Sequence, residues 1–382
     1  MKERNERDEG ERSEQCCHLT MKPVECYIRI PMRHGVSPFI YVIFLACLCC
    51  STCANQASYA GQDRIDQVLK KKDLTVVVTD SGLGGLSITA EAVKRMQTEQ
   101  SFQKIEFIFF NALFSNQGGY NSLGTRKEKL AVFNSALNAM QQRYSPDIIL
   151  IGCNTLSVLF PDTAFARHAK VPAVGIVDAG VDLISEKLKS RPDSRVIIFG
   201  THTTIAEGVH ERKLQKKGFL DERIVTHSCP ELVSFIDRGD TFSETEMLIY
   251  AYVDEALREL KESHAPFFVS FNCTHYGYAQ PLWEKAFKEL GRRPLAYLNP
   301  NPRMIEFLFP LEKLGAYSDI QVAVRVVSMV EIPKETQNSL SRLLTPVSQA
   351  TAAALKNYQL IPDLYEWEKY VEEAKSLEGI EE

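Results

Sequence analysis

Apolar residues in this chain gather into short unbroken runs: Leu74 to Thr79 (LTVVVT), Ile105 to Phe110 (IEFIFF), Ile148 to Ile151 (IILI), Val171 to Val177, Arg195 to Phe199 (RVIIF) and Pro266 to Phe271 (PFFVSF). Runs of roughly four to eight residues without alternation suit strands covered on both faces, as in parallel sheets. Between them the apolar positions recur at helical spacing, over Ser87 to Met96, Lys127 to Arg143, Ala179 to Lys189, Ser243 to Lys261 and Pro281 to Leu290. Alternating strands and helices predict a parallel α/β fold. With 382 residues the chain is long enough for two lobes and a cleft between them.

The amino-terminal stretch follows none of these periods. Residues 1 to 20 carry alternating charge, which is read as a disordered segment or a start codon set too early, with Met21 or Met32 the better beginning. From Met32, Arg33 and His34 precede an apolar run from Phe39 to Cys50, and small residues lead to Ser58-Tyr59-Ala60. That order matches a secretory signal peptide, with cleavage expected after Ala60. The run falls short of the ~20 residues that span a bilayer. Leu45-Ala46-Cys47 weakly resembles a lipoprotein box, with Phe44 where leucine is usual, so a lipid anchor is the lesser alternative. The expected location is therefore exported, in a periplasm.

Composition narrows the partners. A net charge of -5 without a basic stripe argues against nucleic acid and leaves a small molecule as the expected ligand. Nothing in the sequence opposes a homodimer. Seven of the ten cysteines precede residue 60, so the body keeps only Cys153, Cys229 and Cys273, and no disulfide framework is expected there. His202, His210, His227 and His264 lack metal-ligand spacing, and no metal is expected. The aromatic stretch from Phe107 to Phe114 reads as buried strand rather than a stacking platform for bases.

Three short motifs carry the candidate chemistry. Asp80-Ser81-Gly82-Leu83-Gly84-Gly85-Leu86-Ser87 joins a strand to a helix, and its glycines allow a ligand close to backbone amides. By itself the stretch is also readable as a tight turn with Asp80 capping a helix. Cys153-Asn154-Thr155 and Cys273-Thr274-His275-Tyr276 each follow an apolar strand, where residues of an open parallel sheet face the ligand crevice. A lone cysteine there would pass as a small buried hydrophobe. Two of them, both with polar successors, point to paired reactive thiols. Cys229, in His227-Ser228-Cys229-Pro230, reads as structural.

These motifs, in this order, resemble the aspartate/glutamate racemase family, whose DSGxGGLS, CNT and CTHY elements correspond to Asp80 to Ser87, Cys153 to Thr155 and Cys273 to Tyr276. Weaker similarity lies in Gly175 to Asp178, Gly200 to Ile205 and Cys229-Pro230, and the resemblance covers about residues 73 to 345. It implies two pseudo-symmetric lobes, each a mainly parallel sheet flanked by helices, with the active site in the cleft between them. Residues 73–172 with 296–345 would form the first lobe and 173–295 the second, leaving 346–382 as an extension expected to pack on the surface.

The implied activity is cofactor-independent racemisation of glutamate or aspartate, with no pyridoxal phosphate. Such a reaction takes a proton from one face of a carbon and returns one to the other, so an acid and a base must flank it. Cysteine, with an ordinary pKa of about 8.5, can serve as either. The resemblance makes Cys153 and Cys273 the two thiols, assigns Asp80 to the first and His275 to the second, and puts Asp178 where a glutamate is frequent. Ser81, Gly124, Asn154, Thr155 and Thr274 would hold the substrate. Two departures stand out: Ser122-Leu123-Gly124 replaces a Pro-Tyr-Gly segment, and Asn272 and Gly277-Tyr278 flank the second motif where Gly and Pro-Leu are usual. They keep open an isomerase or decarboxylase acting on a non-amino-acid dicarboxylate, and a catalytically silent binding protein. A racemase here would supply or recycle a D-amino acid outside the cytoplasm, the setting of cell-wall chemistry.

Overall fold

The computed structural model describes residues 62–116, 118–238, 242–260 and 265–378. The leader over residues 1–60, with Cys47 and Ala60, and His264 lie outside them. Ten strands are described: β1 (Asp73–Asp80), β2 (Lys104–Asn111), β3 (Ile148–Ile151), β4 (Ala173–Gly175), β5 (Arg195–Gly200), β6 (Ile224–Ser228), β7 (Phe267–Asn272), β8 (Tyr297–Leu298), β9 (Gln321–Ser328) and β10 (Gln359–Leu360). They form a six-stranded sheet in the order β10-β9-β2-β1-β3-β4 and a four-stranded sheet in the order β6-β5-β7-β8. Every strand pair is parallel.

The continuous apolar runs are explained by two-sided burial. Alternate residues of β1 and β2 feed opposite faces of the first sheet: Val76, Val78, Ile105, Phe107 and Phe109 enter one core cluster, Val77, Ile108 and Phe110 another. The second sheet divides in the same way, with Ile197, Phe199, Val269 and Phe271 on one side and Val196, Ile198 and Phe268 on the other. Helices such as Leu86–Glu99, Arg126–Tyr144, Ile176–Ser190 and Phe242–Glu259 flank the sheets. A capping box fixes the start of the Arg126–Tyr144 helix: Thr125 accepts from Glu128 N–H while Glu128 accepts from Thr125 N–H.

The four central strands of each lobe are wound alike. In chain order they lie second, first, third, fourth across the sheet, as β2-β1-β3-β4 and as β6-β5-β7-β8. Cys153 follows the third strand of one lobe and Cys273 the third of the other. The lobe boundaries shift slightly from expectation, because β4 pairs with β3 and β8 with β7. The chain thus crosses after Gly175 and returns after Leu298, where backbone pairing with each sheet ends. The extension is also more than surface cover. It adds β10 beside β9 and buries Leu364, Tyr365, Val371 and Ala374.

Candidate active site

In a parallel sheet, loops at the carboxyl ends of strands on either side of a reversal in strand order splay apart and leave a crevice. Both sheets turn that end to one cleft of about 650 Å³. Asp80 ends β1, with Ser81 and Gly82 just beyond it; Leu113, Asn116 and Gly118 to Ser122 follow β2; Cys153, Asn154 and Thr155 follow β3. The second lobe contributes Thr201 and His202 after β5, Cys229 to Glu231 after β6, Asp237, and Cys273, Thr274 and His275 after β7. The volume is in the range of small-molecule sites and ample for an amino acid.

Glycine is required where the lobes touch. A Cβ at Gly84 would collide with Thr274 Oγ1 and His275 Nδ1, so the first motif's glycine run serves the close approach of a neighbouring lobe. Across that contact Thr274 Oγ1 donates to Asp80 Oδ2 at 2.7 Å. A second link joins Thr155 Oγ1 to Thr201 Oγ1 at 2.8 Å, and Thr201 to Thr204 at 2.9 Å.

Cys153 lies 3.1 Å from Ser81 Oγ and beside Asp80. Burial and the Asp80 charge push its thiol far up, while hydrogen bonds from the Ser81 hydroxyl and the Ser81 and Leu156 amides offset only part of this. Burial likewise raises the Asp80 carboxyl, against the opposing pull of His275 and of hydrogen bonds from Thr274, Cys153 and the Gly85 amide. Cys273 Sγ lies 3.7 Å from His275 Nδ1. On the ring's other side Nε2 is 3.2 Å from Asp237 Oδ1. The contact is off the N–H direction and acts as an ion pair rather than an aligned hydrogen bond. Burial alone would lower the imidazole, but Asp237, helped by Cys273, holds it well above the ordinary histidine range.

Asn154 is 2% exposed, and neither its amide oxygen nor its nitrogen has a partner. Leaving such a group unpaired costs about 1–3 kcal/mol, and this one stands in the lining of the cleft. A donor and an acceptor together suit a molecule bearing both carboxylate and ammonium.

Of the residues singled out in the sequence, Cys153, Cys273, Asp80, His275, Ser81, Asn154, Thr155 and Thr274 converge on this cleft. Two do not. Asp178 lies in the first turn of the Ile176–Ser190 helix, its side chain 71% exposed and paired with Lys213. Gly124 is exposed and outside the lining, where Asn121 and Ser122 stand instead. The carboxylate on His275 is Asp237, from the Leu232–Arg238 helix. Val233 and Asp237, four residues apart on that helix, share the face that lines the cleft, a placement that no motif in the sequence marks. Cys229 also lines the cleft, with its sulfur buried.

Fold and site together define a two-lobed parallel α/β protein with a buried thiol at the end of each lobe's third strand and a titratable group beside each. The Asp/Glu/Hydantoin racemase family profile matches residues 63–279, and the chain belongs to that family. It is similar to a glutamate racemase of Persephonella marina, 24% identical over 221 residues, which are 57% of this chain and 76% of the relative. Glutamate racemase 3 of Caldanaerobacter subterraneus subsp. tengcongensis is 25% identical over 263 residues, 68% of this chain and 82% of that one. The fold is shared with the crystal structure of a glutamate racemase isoform from Bacillus anthracis, with a TM-score of 0.55 at 19% identity, covering 72% of this chain and 95% of the other.

Proposed function

We propose that the protein racemises an acidic amino acid, glutamate or aspartate, without a cofactor, by proton transfer between Cys153 and Cys273. The observation that carries this reading is the cleft with one thiol from each lobe, each beside its own proton-handling partner: Asp80 at Cys153, and the His275–Asp237 pair at Cys273.

One thiol, as thiolate, takes the α-proton, and the electron pair is left on the α-carbon, stabilised by the adjacent carboxylate. The other thiol delivers its proton to the opposite face. No net oxidation or reduction occurs, and the two sulfurs end with their protonation exchanged. Burial and the Asp80 charge keep Cys153 protonated. The ammonium group of a bound amino acid offsets that charge, so substrate itself brings Cys153 into use as a base. Asn154 and the linked hydroxyls of Thr155 and Thr201 supply neutral hydrogen bonds for the substrate's polar ends. The activities named for the curated relatives favour glutamate. Export into a periplasm remains part of this proposal and rests on the leader sequence.

The test is incubation with single enantiomers of glutamate and aspartate in deuterium oxide, with no pyridoxal phosphate. A racemase loses optical rotation and gains deuterium at the α-carbon. A binding protein gives neither, and that result would overturn the proposal.

A further inference from the structure

The cleft wall that follows β2 is braced from outside its own lobe's central strands. Phe114 and Tyr120 are buried in this wall, with ring centroids 5.3 Å apart, edge to face. The far side of Phe114 is covered by Trp367, tilted, at 4.8 Å. Tyr365 packs 5.8 Å from Phe110, and its hydroxyl donates to the Ala112 carbonyl at 2.6 Å. The amide of the same Ala112 donates to the Asp80 carbonyl at 2.7 Å. The backbone of one residue, Ala112, therefore joins the candidate catalytic Asp80 to the carboxyl-terminal segment. Lys375 Nζ reaches to 3.7 Å from Glu128, the residue that closes the cap of the helix after this wall.

We propose that the segment from Leu364 to Lys375 is a positioning element for the cleft wall and thereby sets which substrate side chain the cleft accepts. Ser122 opens the Ser122-Leu123-Gly124 stretch that departs from the Pro-Tyr-Gly pattern, Asn116 and Asn121 line the cleft beside it, and the loop that carries them has little regular structure of its own. A loop that discriminates between side chains needs its contacts held by packing from behind. Trp367, Tyr365 and Phe114 supply that packing, and Tyr120 carries it to the cavity. The consequence for substrate choice rests on the racemase reading; the bracing itself does not.

Three variants separate these roles. Trp367→Ala removes the aromatic cover, Trp367→Phe keeps it, and Leu355→Ala destabilises the same extension where it packs in the opposite core of the first sheet. Hydrogen exchange followed by mass spectrometry reads the wall without any substrate. Exchange in peptides around Ala112 and Tyr120 is expected to rise severalfold in Trp367→Ala alone, with peptides of β6 unchanged. Kinetics on glutamate and aspartate should give a KM about five- to tenfold higher in Trp367→Ala, the worth of a lost aromatic pair, with kcat within about twofold and a smaller preference between the two substrates. Trp367→Phe should restore all three, and Leu355→Ala should lower only the melting temperature. Unchanged exchange in Trp367→Ala overturns the bracing, and unchanged KM and preference overturn the positioning role. If the wild-type protein racemises nothing, the racemase reading fails while the exchange comparison still decides the bracing.

Discussion

The Thr274 hydroxyl at the end of β7 donates to the Asp80 carboxylate at the end of β1, across the boundary between lobes. Its counterpart is the bond between Thr155, just beyond β3, and Thr201, just beyond β5. In each lobe a hydroxyl within two residues of the thiol thus reaches the end of the other lobe's first strand. The site exists as a unit only while the lobes are together, and both links end on groups that the reaction would use.

Asp80→Asn tests what the buried charge costs and gives. A carboxyl with a raised pKa binds protons more readily in the folded chain than in the unfolded one, where its pKa is about 3.9. Stability is therefore lost as pH rises from that value through the folded one. Asparagine can still accept from Thr274 but carries no charge. We expect the variant to melt above the wild type at pH 7, with the gap closing towards pH 3, while kcat falls about 100-fold or more through loss of a proton acceptor. Melting curves at both pH values with turnover measurements check this; a variant less stable at pH 7 would contradict the cost assigned to the charge.

Asp237→Asn should act through His275. A histidine raised above its unfolded pKa of about 6.5 contributes stability that is fully present below that pH and is lost as pH climbs through the folded value. The variant's melting deficit should be largest near pH 5 to 6 and shrink in alkali. Proton NMR of the His275 ring should place its titration lower than in the wild type. Because the two enantiomers are equal in free energy, kcat/KM must fall by the same factor in both directions, by about tenfold or more. Unequal factors would expose an error in the assay rather than a mechanism, and an unmoved His275 titration would remove Asp237 from its role.

Cys153→Ala and Cys273→Ala should each reduce racemisation at least about 1,000-fold, since either loss removes one of the two positioned proton donors. Serine should be nearly as severe, its hydroxyl being a poor proton acceptor. Near-normal turnover in either alanine variant sinks the two-thiol mechanism. Far-ultraviolet circular dichroism should remain that of the wild type.

Most of the architecture was legible because two-sided burial writes itself into a strand as an uninterrupted apolar run, as in Ile148 to Ile151 and Phe267 to Phe271. β6, β8, β9 and β10 are not among those runs, β9 because Gln321 and Arg325 interrupt it. Ile224–Ser228 interleaves Thr226 and His227, while Tyr297–Leu298 and Gln359–Leu360 are two residues each and owe their conformation to the neighbours β7 and β9. The thiols were legible because each follows such a run directly. Asp178 was placed by similarity of a short segment, and its helix turns it to solvent; the carboxylate that does reach His275 sits on a seven-residue helix after β6, a position fixed by tertiary packing. The Tyr365–Ala112 bond spans 253 residues, a separation that no local pattern encodes.

Export adds a test of its own. If cleavage follows Ala60, the mature chain keeps only Cys153, Cys229 and Cys273, all three unpaired and buried in the fold. Thiol titration of the denatured mature protein should therefore give three, and Edman sequencing should begin at Gly61. One free thiol would show a disulfide and contradict the unpaired state of the three cysteines, whereas an intact leader on protein recovered from the cytoplasm would contradict the export proposal.

The electrostatics around Cys153 also bear on its survival. Peroxide and alkylating agents attack sulfur as the thiolate, and a thiol kept protonated by burial and a neighbouring carboxylate gives them little to attack. Under the proposed mechanism the protein is in this sense self-preserving: the sulfur would become nucleophilic only when a cationic guest occupies the cleft, and that guest would then shield it from other reagents. An electrophile built on an amino-acid scaffold would carry its own activation with it and should label Cys153 where simple haloacetamides fail.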